Sequence, residues 1–414
     1  MVPNGWSKHK FYEIVRDTQL GTTERHKGDI SNNQIPLLKM GNLSWGEFNL
    51  NSVEQLPREK VDSTLLLKKG DFLFNTRNTP ELVGKSAVWN DNLPEATFDN
   101  NINRISFKNG IDPFYMAAYL NNGRGKAIIN SLPAGSTSVA AIYWKDLKNI
   151  QITLPPLPEQ RKIAKILSTW DKAISTTEKL IETSKQQKKA LMQQLLTGKK
   201  RLVDPETGMM FEGEWKRHAM SDLVFIDRKS LGKRTLDDFE FQYISLSDVA
   251  VGSISKELEV HKFASSPSRA RRVIQEGDIL LSTVRPNLKG FAKVSGKHAD
   301  CIASTGFSVL TPKKRVNGDY IYQYIFSSHV TGQIDSLVVG SNYPAINSSD
   351  VAGLKVYCPT YEEQQKIASV LTAADKEIEL LQAKLAHFKQ EKKALMQQLL
   401  TGKRRVKVED VQAA

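Results

Sequence analysis

The chain has 414 residues, carries 58 Lys and Arg against 45 Asp and Glu for a formal net charge of +13, and contains only two cysteines, Cys301 and Cys358. That length supports two or three domains with sizeable cores, two cysteines exclude a disulfide framework and point to a reducing cytoplasm, and no apolar run approaches membrane-spanning length. The N-terminus, Met1 to Trp6, has no apolar core of a signal peptide, and the positive charge calls for an acidic partner, nucleic acid first among them.

In chain order, residues 1–153 read as a mixed α/β domain. A Gly-Asp turn at Gly70-Asp71 followed by Phe72-Leu73-Phe74 predicts turn then strand, and Pro113 to Leu120 predicts a short helix. Leu154-Pro155-Pro156-Leu157-Pro158 marks the entry to a long helix within 154–199, and Thr197-Gly198 marks its stop. A basic linker follows at 200–213. Residues 214–357 read as a second mixed domain, with Gly277-Asp278-Ile279-Leu280-Leu281 as its turn and strand and Tyr320 to Ile325 as a short helix. A second long helix falls within 358–402, and 403–414 reads as a frayed tail.

The second half repeats the first. Lys188 through Lys199 recur word for word as Lys392 through Lys403, an offset of 392 − 188 = 204. Glu159-Gln160, Lys162-Ile163-Ala164, Leu167 and Asp171-Lys172 recur at the same offset as Glu363-Gln364, Lys366-Ile367-Ala368, Leu371 and Asp375-Lys376. More distant landmarks also align: Trp6 with Trp215, the 38–46 segment with 244–252, and the two Gly-Asp strands. A half-length repeat means two copies of one structural unit.

Within each long helix the apolar spacing alternates four and three. The stripe runs Ile163, Leu167, Trp170, Ile174, Thr177, Ile181, Ser184, Lys188, Leu191, Leu195, and then Ile367, Leu371, Ala374, Ile378, Leu381, Leu385, Phe388, Lys392, Leu395, Leu399. That is a heptad seam on a helix of about 40 residues, roughly 60 Å long, which needs a partner helix. The fold class is therefore α+β: two mixed α/β domains separated by two long antiparallel coiled-coil helices, with a pseudo-two-fold internal repeat.

Motifs for chemistry fail on inspection. Gly84-Lys85-Ser86 lacks the upstream glycine of a phosphate loop, because Thr79 stands there. Gly123-Arg124-Gly125 lacks the third glycine of a dinucleotide fingerprint. Asp204 with Glu214 and Lys216 resembles a magnesium-dependent nuclease spacing, but the first copy has no acidic residue at the Glu214 position. The seven histidines are dispersed without metal-ligand spacing. No catalytic or metal-binding residue is nominated.

The two copies agree and differ in a pattern. Residues 175–184 share nothing with 379–388, yet Lys189, Met192, Gln193 and Gln194 lie off the seam and match Lys393, Met396, Gln397 and Gln398. Two copies of one partner docking at equivalent sites would hold these residues constant; self-packing at the coil ends is the competing explanation. The domains keep landmarks and change loops, as two readers with different texts would. The loop after each Gly-Asp strand is polar and basic: Asn75, Arg77, Asn78 and Lys85 in the first copy, and Thr283, Arg285, Asn287 and Lys289 in the second. Arginine pairs bidentately with guanine, and asparagine with adenine. Ser136 and Thr137, and Asn342 and Tyr343, add small donors on a second loop of each domain, while Arg269 and Arg271, with Arg272, form a run suited to phosphates.

Taken together, the Leu-Pro-x-x-Glu-Gln-x-Lys-Ile-Ala entry, kept in part at Glu363-Gln364, and the Leu-x-Gln-x-Leu-Leu-Thr-Gly-Lys exits make the chain resemble, over its whole length, the DNA-specificity subunits of type I restriction–modification systems. The resemblance implies a non-catalytic subunit with two target-recognition domains, each reading one half of a split double-stranded DNA target, and helices that set the unspecified spacer. It implies two modification subunits that methylate adenine with S-adenosylmethionine, and restriction subunits that use ATP and magnesium, with no cofactor bound by this chain. A stand-alone sequence-specific or architectural DNA-binding protein is the alternative; a single-chain enzyme would need a cofactor motif that is absent.

Overall fold

A computed structural model of the chain describes residues 2–26, 33–135, 139–338 and 344–408. It divides into two compact units, residues 1–178 with 384–414, and residues 179–383. The division falls inside both long helices. Each unit thus holds one globular head, the near part of the helix that leaves it, and the far part of the other helix.

In the first head a four-stranded antiparallel sheet has the order Val15–Leu20, Ile102–Phe107, Phe72–Asn75, Ser86–Val88. A three-stranded sheet pairs Gln34–Leu38 antiparallel with Glu54–Pro57 and parallel with Thr97–Phe98. The second head repeats the plan. Its first sheet has the order Val224–Ile226, Phe307–Pro312, Ile279–Ser282, Phe291–Lys293. Its second places Glu240–Ile244 antiparallel to Glu259–Lys262 and parallel to Ile302–Ser304, with Ala270–Val273 on the far edge.

The Gly-Asp strands are apolar at their first three positions for a geometric reason. Successive strand side chains point to opposite faces, and here both faces are covered. Phe72 and Phe74 enter a core with the helices, while Leu73 enters a second core between the sheets. Ile279, Leu281 and Leu280 divide in the same way. The helix Pro113–Leu120 covers the first sheet, with Asp112 accepting the Tyr115 N–H at its start, 2.8 Å. Its counterpart runs Gly318–Ile325, starting before the stretch read from sequence, with Asn317 as the cap.

The long helices run Leu157–Leu195 and Tyr361–Leu399. All seam positions are buried or half-buried. In the first unit Trp170 meets Phe388 edge-on, Glu178 pairs with Lys389, and Asp171 pairs with Lys392, so the two segments run antiparallel. In the second unit Lys188 reaches Asp375 at 2.5 Å. The lysine on each seam therefore meets an aspartate at the same repeat position.

The far helix ends are structural components of the heads. Leu195 and Leu196 lie in the core of the second unit beside Ile367 and Leu371, and Leu399 and Leu400 lie in that of the first beside Ile163 and Leu167. Gly198 and Gly402 end the helices at φ +68° and +69°, where a Cβ would lie 3.4 Å from Trp215 and 2.5 Å from Pro3.

The segments beyond those glycines depart from the sequence reading. Arg201, in the expected linker, forms two 2.7 Å bonds to the carboxylate of Glu363, and Arg405, in the expected frayed tail, does the same to Glu159. Leu202 and Val406 pack against the adjoining cores. A bidentate contact to a buried glutamate holds each segment, which charge composition alone did not reveal. The Glu-Gln pair at each helix entry is explained too. Its glutamine bonds the N–H of Asp112 or Asn317 and the carbonyl of Pro155 or Pro359.

Because the Glu363 side chain is fully buried, removing its partner strands a charge. Arg201→Ala is expected to cost about 3–5 kcal/mol in a urea melt. Adding Glu363→Gln should recover part of that loss, and an additive double variant would contradict the pairing.

Candidate nucleic-acid interface

In each head the loop that follows the Gly-Asp strand hangs from a turn between the two sheets. In the first head the Asn101 carbonyl accepts the Thr76 N–H at 2.8 Å, the Thr76 hydroxyl at 3.0 Å and the Asn75 amide at 3.1 Å. In the second the Gly306 carbonyl accepts the Thr283 N–H and hydroxyl, both at 2.9 Å. Asn75 and Ser282 also close the same local ring, each donating to the carbonyl two residues on.

This geometry reassigns several sequence-selected residues. Asn75 is fully buried, bonding Arg77, Asn101 and Asn78, and is not available to a base. Asn78 is half-buried and spends its amide oxygen on the Thr79 N–H. Thr283 is buried on Gly306. Lys85 is buried as well, and burial pulls its ammonium below the usual lysine range. Arg271 lies over the Phe263 ring at 4.7 Å and donates to the carbonyls of Pro267 and Ala270. These residues build the frame that holds the loops, because strand ends packed between two cores need internal hydrogen bonds.

Other selected residues face solvent. Arg77 is exposed on a short strand, Arg77–Asn78, paired with Ala140–Ala141, which pairs in turn with Ala134–Gly135. Arg285 and Asn287 are exposed and Lys289 is half-buried on a tight turn, where Arg285 and Lys289 take φ of +50° and +52°. The Arg285 N–H donates to Pro344 at 2.7 Å. Arg269 is exposed. Ser136, Thr137, Asn342 and Tyr343 lie outside the described residues.

A second feature escaped the sequence reading. Each head has an open groove beside the repeated 38–46 or 244–252 segment. In the first head it encloses about 540 Å³ and is lined by Arg25, Lys39, Asn49, Asn51, Asp99 and Asn101 among others. In the second it encloses about 560 Å³ and is lined by Tyr243, Ser245, Ser247, Asp248, Glu257 and Glu259 among others. One backbone frame underlies both: Asn42 and Asp248 each accept the N–H three residues upstream, at 2.9 and 2.8 Å. Arg25 meets Asp99 at 3.4 Å, and Lys39 pairs with Glu54. Burial raises the Asp99 carboxyl pKa, against the hydrogen bonds of Asn101 and the charges of Arg25 and Lys39. The signal was present in the aligned segments, but nothing in sequence placed their side chains in a groove next to Asn101, the residue that anchors the Asn75–Asn78 loop.

The outward side chains at the far helix ends also divide. Met192 and Met396 lean on the unit cores. Lys189, Gln193 and Gln194, with Lys393, Gln397 and Gln398, are exposed, and among the described residues their side chains make no hydrogen bond or ion pair. Asp204 of the nuclease-like spacing accepts the Glu206 N–H at 2.9 Å within a turn.

Two heads on one frame with differently lined grooves and loops define a duplicated recognition module. Residues 12–185 and 221–390 match the model of the type I restriction modification DNA specificity domain, and the chain belongs to that family. It is 27% identical to a putative type I restriction enzyme MjaX specificity subunit of Methanocaldococcus jannaschii, over 98% of this chain and 95% of that one. It is 23% identical to the EcoKI specificity subunit of Escherichia coli, over 82% and 75%. The fold matches a crystal structure of a type I restriction–modification S subunit from M. genitalium at a TM-score of 0.60 and 14% identity, covering 96% of this chain and 99% of that one. The chain is thus a specificity component and not a catalytic one. No helix among the described residues is long and apolar enough to cross a membrane.

The division between frame and loop is testable. Asn75→Ala should lower head stability by about 1–3 kcal/mol, since it unsatisfies buried groups. Arg77→Ala and Asn287→Ala should leave the thermal midpoint unchanged while weakening DNA binding in a gel-shift assay.

Proposed function

We propose that this chain binds an asymmetric, bipartite DNA target, one half-site per head, and docks two copies of a modification subunit that methylates adenine. The observation that carries the reading is the contrast between the copies. The heads share strands, turns and groove frames but differ in most of the side chains that line the grooves and the exposed loop tips. The exposed residues at the far helix ends are identical and have no internal use. Leu195, Leu196, Gly198 and Lys188 are accounted for by packing and pairing inside the unit, so self-packing explains part of the repeat. It does not explain Lys189, Gln193 and Gln194 or their counterparts.

On this reading S-adenosylmethionine belongs to the modification subunits, ATP and magnesium belong to restriction subunits of the full cytoplasmic complex, and this chain holds none of them. Each helix of 39 residues, about 58 Å at 1.5 Å per residue, serves as the spacer between half-sites. Half-sites read from successive grooves lie about 34–36 Å apart or a multiple of that.

Co-expression with the cognate modification subunit, followed by mapping of methylated adenines, should reveal one interrupted, asymmetric site. Methylation at a short continuous palindrome, or none, would overturn the reading. The quadruple variant Lys189→Glu, Gln193→Ala, Lys393→Glu, Gln397→Ala should lose the modification subunits in co-purification while keeping the wild-type melting curve. Undiminished co-purification would remove the helix ends as the docking site.

A further inference from the structure

The second head carries a basic ridge that the loop assignments do not cover. Between its first strand and Asp237, residues 228–236 contain Arg228, Lys229, Lys233 and Arg234 and no acidic residue. All four are exposed. The segment is held as an edge along Ala270–Val273: the Val273 N–H donates to Lys229 at 3.1 Å, the Leu231 N–H donates to Arg271 at 2.8 Å, and Ser230 bridges Arg272. Its base is pinned by Asp227, which pairs with Arg272 at 2.7 Å and accepts the Ser348 hydroxyl at 2.6 Å and the Val309 N–H at 2.9 Å. Arg272 is thereby neutralised and acts as an anchor. Lys229, Lys233, Arg234 and Arg269 form no ion pair among the described residues.

The ridge joins the loop side of the head. The Arg269 carbonyl accepts the Thr305 N–H at 2.8 Å, and the next residue, Gly306, is the one that holds Thr283 at the root of the Arg285–Lys289 turn. One turn therefore has the arginine run on one side and the base-reading candidate on the other. Between the corresponding strands of the first head, residues 21–33, Arg25 and Lys27 stand against Glu24 and Asp29 and cancel, whereas residues 227–239 of the second head set the four cations of the ridge against Asp227, Asp237 and Asp238 and keep one net positive charge. The groove of the second head lies toward the opposite, Glu259–Lys262 side of that sheet and is acidic, with Asp248, Glu257 and Glu259, so it repels phosphates where the ridge attracts them.

We propose that Lys229, Lys233 and Arg234, continued by Arg269, form a clamp for the DNA sugar-phosphate backbone on the second head alone, positioning its half-site without selecting its sequence. The inference rests on the DNA-binding reading above. Flexible ammonium and guanidinium groups on a rigid edge contact phosphates as charges and carry no base information. Each such contact releases counterions, which contributes about 0.9 to the slope of log affinity against log salt.

The test compares the complex of wild-type chain and modification subunits with one carrying Lys229→Ala, Lys233→Ala and Arg234→Ala. Binding is measured from 50 to 200 mM salt on a duplex containing the mapped target and on a scrambled duplex. The slope should fall by up to about 2.7, so that over this range the wild type loses about 40-fold more affinity than the variant. Both duplexes should be affected alike, the methylated site should stay the same, and the charge-retaining variant Lys229→Arg, Lys233→Arg, Arg234→Lys should behave as wild type. An unchanged slope, or a changed methylation site, overturns the clamp. Failure of the wild-type complex to bind either duplex would instead remove the DNA-binding reading beneath it.

Discussion

Each unit depends on a helix end supplied from the other half of the chain. Leu399 and Leu400 complete a core that contains Ile163 and Leu167, and Leu195 and Leu196 complete one that contains Ile367 and Leu371. Burying a leucine is worth about 1.5–3 kcal/mol, so the exchange ties the two long helices to both heads. The Glu159 and Glu363 carboxylates strengthen that coupling. Each is buried at the foot of one helix, and among the described residues each is matched by an arginine that follows the end of the other. A buried carboxylate without its guanidinium is strongly unfavourable, so the segment after each terminating glycine is held down wherever the fold forms.

The heads exploit a second constraint. A strand covered on both faces must stay apolar where its side chains enter the cores, and Phe72–Asn75 and Ile279–Ser282 are such strands. Their ends are fastened through Thr76 and Thr283 to carbonyls of a neighbouring turn. Everything beyond that fastening is free to differ, and it does. The first head offers Arg77 on a short strand; the second offers Arg285, Asn287 and Lys289 on a turn with two residues in the left-handed region. Rigid roots and variable tips suit recognition, because a contact made from a fixed platform discriminates more sharply than one made from a mobile chain.

Charge is distributed unevenly over this common frame. The groove of the first head is lined by Arg25, Lys39, Asp99 and asparagine amides, with Arg25 paired to Asp99 and Lys39 to Glu54, whereas its counterpart is lined by serines, Asp248, Glu257 and Glu259. The second head compensates with the cationic edge along Ala270–Val273. The net charge of +13 is therefore not a uniform coat. Cations near phosphates set affinity and its salt dependence, while differently lined grooves allow the two heads to prefer different bases.

Much of this architecture was legible in the sequence, because the signals are periodic or repeated. The heptad seams, the proline entries, the glycine stops and the 204-residue offset locate two heads and two helices without coordinates. The candidate site was legible only in part. Sequence selects polar residues in loops, and it chose Asn75, Lys85 and Thr283 on that basis; the structure buries all three, because a polar side chain at a strand end serves the backbone first. Arg201 and Arg405 read in sequence as linker and tail charges, and the grooves around Lys39 and Ser245 have no sequence signature, since long-range pairings leave no local pattern. What the sequence by itself determined is the set of elements and their duplication, which follow from spacing along one chain. Which polar groups are spent inside the fold, and which remain for DNA or a partner subunit, was decided by tertiary packing alone, because hydrogen-bond partners 25 to 246 residues apart meet only when the sheets and helices close.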